Sequence, residues 1–415
     1  MGGSASKGEE AVTVPAGLPY SLWSNLPPEL AGLVIQRLPS YADRARFGSV
    51  CRHWRYAAKL LQQAPLPPSQ QPLPWLNFLN GTFRSLPEGE EHNLRPDKPL
   101  VLSANKGWVL FKEGLLGPAH RHYLKNPLSG AVIRLPGHCK APIILPHGDD
   151  HDDSSNVPPS SSDSEEFNIW KVIVCTSDVI AAKISYHRLP DVVACCRSGS
   201  RAWSTGPCNG TWYEDMALYK GKIYTVCRNG GLFSHELMQV RRTGEPYVEP
   251  PVEQIVMAPP PEPDKPYANL WGATKCYLVV SSRGDKLLML RWTIPCEHHC
   301  LTTEMAFKVF QADLEMARWV HVESLDDEAL FVSTHCSKAI SASSHAGQGR
   351  GDQIYFADYS LRSVKRTGCI TRTCGVYDMR SKVVSPISSK WPINDTSKAS
   401  WFFPSVEYGD SNHNV

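Results

Sequence analysis

From about position 95 to about position 408, short apolar runs alternate with tight-turn signals, and no helix-period segment longer than two turns interrupts them. The runs lie at 99–103 and 108–112 around Asn105-Lys106-Gly107, and at 215–219, 222–227 and 232–237 around Lys220-Gly221 and Asn229-Gly230-Gly231. They continue at 277–280 and 286–292 around Ser282-Arg283-Gly284-Asp285, then at 329–334, 353–358 and 374–378. Glycine beside Asn or Lys is hairpin chemistry, because such turns need positive φ. A looser repeat is superposed. Runs ending on Asn126, Asp313 and Asp378 each lead through a turn into a second run, at 131–135, 319–322 and 382–385. Sheets this small must bury their faces against one another. The pattern therefore predicts radial repetition, an all-β propeller whose length suits six or seven blades, with a pair of stacked sandwiches as the alternative.

The N-terminal part speaks a different language. Pro27-Pro28 suits a first helical turn behind a Ser24 or Asn25 cap. Leu30, Leu33, Val34 and Leu38 then fall on one helical face, and Pro39 stops that helix. Ser40 with Asp43 opens a second helix carrying Ala45 and Phe47. Ser49 opens a third, lined by Val50, Trp54, Ala57 and Leu61. Ile35, Cys51 and the Leu26-Pro27 shoulder fit those inner stripes poorly and are expected to face outward. Three helices this short cannot hold a core alone, so the segment is expected to dock on another protein. Gly32 and Gly48 weaken helix by up to about 1 kcal/mol each.

The succession Leu26-Pro27-x-Glu29-Leu30, Ile35-x-x-Leu38-Pro39 and Val50-Cys51-x-x-Trp54-Arg55 resembles the F-box motif across residues 22–61. The resemblance implies binding to a Skp-type adaptor and, through it, to a cullin–RING ubiquitin ligase. By position, Leu26, Pro27, Leu30, Ile35, Leu38, Val50, Cys51 and Trp54 would supply that contact or its immediate support. Further along, Lys125-Asn126-Pro127-Leu128-Ser129-Gly130, the 215–224 run, Trp319-Val320-x-Val322 and Asp352-Gln353-Ile354-Tyr355-Phe356 are similar to a plant family that joins an F-box to a KIB-type β-propeller. That implies a protein-recognition domain without known catalysis. The expected layout is a disordered start at 1–21, the small all-α three-helix F-box at 22–61, and a Pro-rich linker at 62–94, stiffest at 64–74. The propeller follows at 95–408, with an acidic disordered insert at 147–166, and a tail at 409–415.

Composition excludes little but directs much. A net charge of +2 gives no general attraction to nucleic acid or membranes. The basic residues of the helical segment, among them Arg44 and Arg55, read as a solvated face. Thirteen cysteines without a spacing framework, no signal-like start and no long apolar stretch point to free thiols in the cytoplasm or nucleus. There the Asn-x-Thr triplets at Asn80, Asn209 and Asn394 carry no glycosylation meaning. Gly2 fits an N-myristoylation pattern, but a Gly/Ser-rich start is the plainer reading, and stable membrane association is not expected.

Candidate chemistry is sparse. Cys296, His298, His299 and Cys300 crowd one five-residue loop rather than two separated knuckles, so no zinc site is expected. The acidic insert, with His147 and His151, offers a metal no fixed geometry, although its serines suit an acid-directed kinase. Residues 258–266 read as a stiff loop. Gly347-Gln348-Gly349-Arg350-Gly351 precedes a strand, not a helix, and so is no phosphate loop. Adjacent Cys195 and Cys196 point to opposite faces of a strand. No cofactor and no catalytic residue is nominated. The chain is expected to be a non-catalytic substrate receptor of a ubiquitin ligase, with an unidentified target protein on the propeller. A non-degradative sequestering protein is the alternative. An enzyme is a third reading, which would show ionisable side chains converging on the propeller axis.

Overall fold

The computed structural model describes residues 23, 26–38, 41–48, 50–62, 73–78, 81–86, 91–93, 101–113, 121–139, 167–186, 190–205, 210–239, 246–248, 252–256, 273–294, 306–344, 351–358, 374–387 and 399–405. The chain divides into two units, residues 1–65 and 66–415. Among its described residues the first holds three helices of seven or more residues: α1 (Pro28–Arg37), α2 (Tyr41–Phe47) and α3 (Arg52–Gln62). Among the described residues the second is a ring of six four- or five-stranded sheets, within the six or seven blades expected.

Blade 1 is built from both ends of the second unit. Trp75–Asn77 pairs antiparallel with Thr82–Ser85 on one side and with Ser400–Phe402 on the other, and Glu91–Asn93 completes the sheet. Blade 2 runs Val101–Ser103, Val109–Glu113, Arg121–Lys125, Val132–Arg134. Blade 3 runs Phe167–Val174, Val179–Tyr186, Val192–Arg197, Ala202–Thr205, and His138–Cys139 adds a parallel edge. Blade 4 runs Tyr213–Tyr219, Lys222–Cys227, Leu232–His235, Val252–Val256, beside a small hairpin of Leu237–Gln239 and Pro246–Val248. Blade 5 runs Ala273–Val280, Leu287–Ile294, Ala306–Asp313, Arg318–Val322. Blade 6 departs from the meander: Glu328–Val332 lies between Lys338–Ser341 and Gln353–Ala357 and is parallel to the latter, with Cys374–Asp378 and Val384–Ser385 outside.

Alternate residues of each strand face alternate neighbours, so the core is a series of inter-blade layers. Leu102, Trp108 and Leu124 meet Phe167, Ile180 and Trp203 between blades 2 and 3. Ile173 and Cys195 meet Met216 and Ile223 between blades 3 and 4. Tyr219 and Val226 meet Leu278 and Met289 between blades 4 and 5, and Trp292 and Val309 meet Leu330 and Phe356 between blades 5 and 6. Phe331 and Ala357 meet Leu76 and Trp401 where blade 6 returns to blade 1. The Trp401 indole N–H donates to the Tyr355 carbonyl at 3.0 Å across that last seam. Cys195 and Cys196 do lie in different layers, as their adjacency predicts.

The sequence repeat has a physical cause. Asn126 Oδ1 accepts the backbone N–H groups of Leu128 and Ser129, both at 3.0 Å. Asp313 Oδ1 accepts that of Met316 at 3.1 Å, and Asp378 Oδ1 those of Arg380 and Ser381 at 3.0 and 2.8 Å. Each Asn or Asp thus caps the hairpin between the last two strands of its blade. The fourth turn residue is left-handed in all three: Gly130, Ala317 and Lys382, at φ 74°, 50° and 59°. Lys220-Gly221 is the expected two-residue hairpin, with φ 46° and 79°. Gly107 is confined for a further reason: a Cβ there would stand 2.5 Å from the Ser405 carbonyl oxygen, where the closing segment crosses blade 2.

One expected boundary needs correction. The stretch 62–94, read as a linker, contains three strands of blade 1, so the propeller begins about twenty residues earlier than position 95. Those strands are three or four residues long and follow a proline cluster, too short for alternation to register, and Trp75–Asn77 is buried throughout. Several named features lie outside the described residues: Gly2, most of 64–74, the acidic insert 147–166, the loop 258–266, Cys296 to Cys300, residues 347–350, the caps at Ser24, Asn25, Ser40 and Ser49, and Asn80, Asn209 and Asn394.

Candidate protein-docking site

In the helical unit, Pro27 takes the N-cap position of α1 and Pro28 the first turn, where no N–H is needed. Glu29 near its start and Arg37 near its end complement the helix dipole. The third helix begins at Arg52, and Cys51 caps it. Cys51 Sγ accepts the Trp54 N–H at 3.4 Å, and the Cys51 carbonyl accepts that of Arg55 at 3.0 Å. Arg44 Nε donates to the Leu38 carbonyl at 2.8 Å and Arg55 Nε to that of Gly48 at 3.2 Å. These two arginines, read from sequence as a solvated face, satisfy carbonyls that close α1 and α2. The signal missed was their placement next to helix ends.

Which side of α1 faces inward is the reverse of the sequence reading. Ala31, Gly32 and Ile35 are buried, as are Phe47, Gly48, Ala57 and Ala58. Small residues on α1 and α3 allow those helices to pack closely, which explains a glycine inside α1. Leu30, Leu33 and Val34 remain 49%, 52% and 39% exposed, one continuous stripe at i, i+3 and i+4. Val50 is 63% exposed, and Trp23, Tyr56 and Leu60 are also open to solvent. Of the eight residues singled out, Pro27, Leu30 and Val50 are exposed, Leu26, Leu38, Cys51 and Trp54 half-buried, and Ile35 buried as support. The half-buried ones are fixed in place. Trp54 stacks on Phe47 with centroids 4.2 Å apart and donates its indole N–H to the Trp23 carbonyl at 2.7 Å. His53 Nε2 donates to the Leu26 carbonyl at 2.6 Å, tying the Leu26-Pro27 shoulder to α3. The result is a shaped apolar surface on a rigid frame.

Ionisable groups do gather at the propeller axis, so their chemistry matters. Lys171 Nζ lies 2.6 Å from Asp215 Oδ1, and Asp215 Oδ2 accepts the Leu278 N–H at 2.9 Å, joining blades 3, 4 and 5. Lys275 Nζ lies 3.2 Å from Asp358 Oδ2, which also accepts the Tyr277 hydroxyl, joining blades 5 and 6. Lys183 holds Asp191 at 3.5 Å and the Tyr213 carbonyl at 2.7 Å. Burial, reinforced by the Asp358 charge, holds the Tyr277 phenol well above the usual tyrosine range. Desolvation also pushes the Cys276 and Cys336 thiols up to about 12, the opposite of an activated thiolate. These are buried staples between blades. Among the described residues no cluster of His, Cys, Asp and Glu suits a metal ion.

Comparison with known proteins agrees with this division. An F-box-like family model matches residues 23–61, and the KIB1-4 beta-propeller model matches residues 83–378. A putative F-box protein of Arabidopsis thaliana, At3g25750, is 24% identical over 372 residues, covering 88% of this chain and 95% of its own length. The F-box protein SKIP23 of the same plant is 23% identical over 400 residues, covering 86% and 89%. A six-bladed ring preceded by an F-box-like helical trio, matched over most of its length, makes this chain a member of the KIB1-4 beta-propeller family.

Proposed function

We propose that this protein is the substrate-recognition subunit of an SCF-type cullin–RING ubiquitin ligase. The helical unit binds a Skp-type adaptor, and the propeller binds a target protein. The observation that carries the reading is the open apolar stripe Leu30, Leu33 and Val34, on helices matched to an F-box-like model. A contiguous apolar face on a small helical unit marks an interaction site. The protein performs no bond chemistry of its own. It raises the local concentration of target lysines near the charged ubiquitin-conjugating enzyme, so its catalytic contribution is proximity. The work takes place in the cytoplasm or nucleus, without a resident metal or cofactor and without nucleic acid.

Two measurements test it. Co-expression of the full chain with a Skp-type adaptor should give a stoichiometric complex on size exclusion, and no complex would remove the ubiquitin reading. Proteins captured by the full chain should then show longer half-lives when residues 22–61 are deleted. Unchanged half-lives would favour the sequestering alternative, in which the propeller holds a partner without marking it.

A further inference from the structure

The inner strands of blades 3 and 4 each carry a bulge. In blade 3 the register with Val179–Tyr186 skips Trp170, since Lys171 faces Lys183 and Ile169 faces Ile184. In blade 4 it skips Glu214, since Tyr213 faces Cys227 and Asp215 faces Val226. A bulged residue leaves the ladder and frees its carbonyl. The Glu214 carbonyl accepts Lys183 Nζ at 3.2 Å. The Trp170 carbonyl takes a partner from much farther round the ring: His335 Nδ1, at 2.7 Å. His335 belongs to blade 6, diametrically opposite blade 3, so this bond crosses the axis.

It is one of several bonds from the same turn, residues 333–337, which links two strands of blade 6. The Trp401 N–H of blade 1 donates to Ser333 Oγ at 3.3 Å. Lys275 Nζ of blade 5 donates to Thr334 Oγ1 at 3.3 Å. Cys336 Sγ donates to the Ala104 carbonyl, next to the first strand of blade 2, at 3.5 Å. The turn itself is stiffened by Ser333, whose hydroxyl donates to the Cys336 carbonyl at 2.6 Å. His335 and Cys336 are 1% and 3% exposed, so protein fills the axis at this level.

We infer that the turn 333–337 is an axial keystone: it closes the ring from inside by joining blade 6 to blades 1, 2, 3 and 5, and it seals the axis against a threading ligand. The need is visible in the strand closure of blade 1. Ser400–Phe402 contributes only three paired residues, a short fastening for six blades. A target held centrally must then rest on a mouth of the axis and cannot pass into it.

Hydrogen-exchange mass spectrometry on the full chain tests this, comparing wild type with His335→Ala, His335→Gln and Cys336→Ala. The control is His235→Ala, at a buried histidine that bonds Thr225 Oγ1 within blade 4. Losing the axial bond should raise exchange about tenfold, together, in residues 400–402, 101–103 and 167–174, because a buried partner is left unsatisfied. Gln retains an N–H donor and should restore most of the protection, and Cys336→Ala, which removes the weaker sulfur donor, should show the same pattern as His335→Ala more weakly. The control should loosen blade 4 alone. A rise confined to blade 6, or one shared equally by blade 4, would overturn the keystone. Should His335→Ala fail to fold, Cys336→Ala against the control decides the matter.

Discussion

The exposed stripe of α1 permits a quantitative test of docking. A leucine taken from full exposure to full burial contributes about 2–3 kcal/mol. Leu30 and Leu33 have already lost about half of that surface in the free protein. Docking therefore has about 1–1.5 kcal/mol left to gain from each, and somewhat less from Val34. The double substitution Leu30→Ala, Leu33→Ala removes most of that gain, so the adaptor Kd should rise by roughly 30- to 100-fold. Neither change should cost the fold, since both sites face solvent and alanine is the better helix former. Ile35→Ala should behave oppositely. It empties a buried site and should cost about 2–5 kcal/mol of helical-unit stability, with affinity lost only as the unit unfolds. Isothermal titration of purified adaptor into the full chain gives Kd, and far-UV circular dichroism during thermal unfolding reports the helices. If wild type binds and the double variant binds within threefold of it, the stripe is not the contact and the inward–outward assignment of α1 carries no functional weight.

Three further outcomes follow from the propeller. Ala317→Gly and Lys382→Gly should each raise stability, by up to about 1 kcal/mol, because both residues sit left-handed where glycine has no Cβ penalty; urea midpoints measure this. Trp401→Ala, at the seam of blades 6 and 1, should cost about 3–5 kcal/mol and lower Tm by several degrees, whereas Val383→Ala at an exposed turn should be silent in the same melt. Desolvation lowers the pKa of buried His235 and His335 to about 4. Around His335, Asp358 favours the charged ring, while Lys275 and Lys171 oppose it. The unfolded chain then binds the extra protons. Stability is complete above about pH 6.5 and falls as pH drops toward 4, by on the order of 3 kcal/mol for each histidine. Urea unfolding between pH 7 and 4.5 reads this, and a flat profile would refute it.

The turns were the most legible part of the fold. Lys220-Gly221, Asn126, Asp313 and Asp378 act locally, through a positive φ or a side-chain oxygen accepting nearby N–H groups, and local chemistry survives translation from sequence to structure. The docking face was legible in composition but not in orientation. Periodicity placed Leu30, Leu33 and Val34 on one side of a helix, yet it could not say that Ala31 and Gly32 opposite would fit α3 more closely. A docking surface and a core obey the same period, so large apolar residues at that period read as core. Blade 1 was illegible for another reason. Its strands are short, two are divided by turn residues, and the fourth comes from residues 400–402, so nothing local announces the sheet.

The axial charges bear on whether this propeller acts as an enzyme or as a receptor. An active site needs a group whose charge or nucleophilicity is available to a substrate, and its pKa is usually moved toward the working pH. Here the movement is the other way: burial lowers His335 to about 4, keeps the Cys336 thiol protonated and holds the Tyr277 phenol neutral. The charges that persist are committed to one another, Lys171 with Asp215 and Lys275 with Asp358, each pair spanning a boundary between blades. Buried ion pairs add little net stability, because desolvation offsets most of their attraction, but breaking one leaves an uncompensated charge. A slipped strand would leave one of these buried charges unmatched, so the pairs would penalise wrong registers between blades. An axis whose charges are committed to one another agrees with the proposed receptor role, in which a partner is matched by side chains on the outer surfaces of the ring.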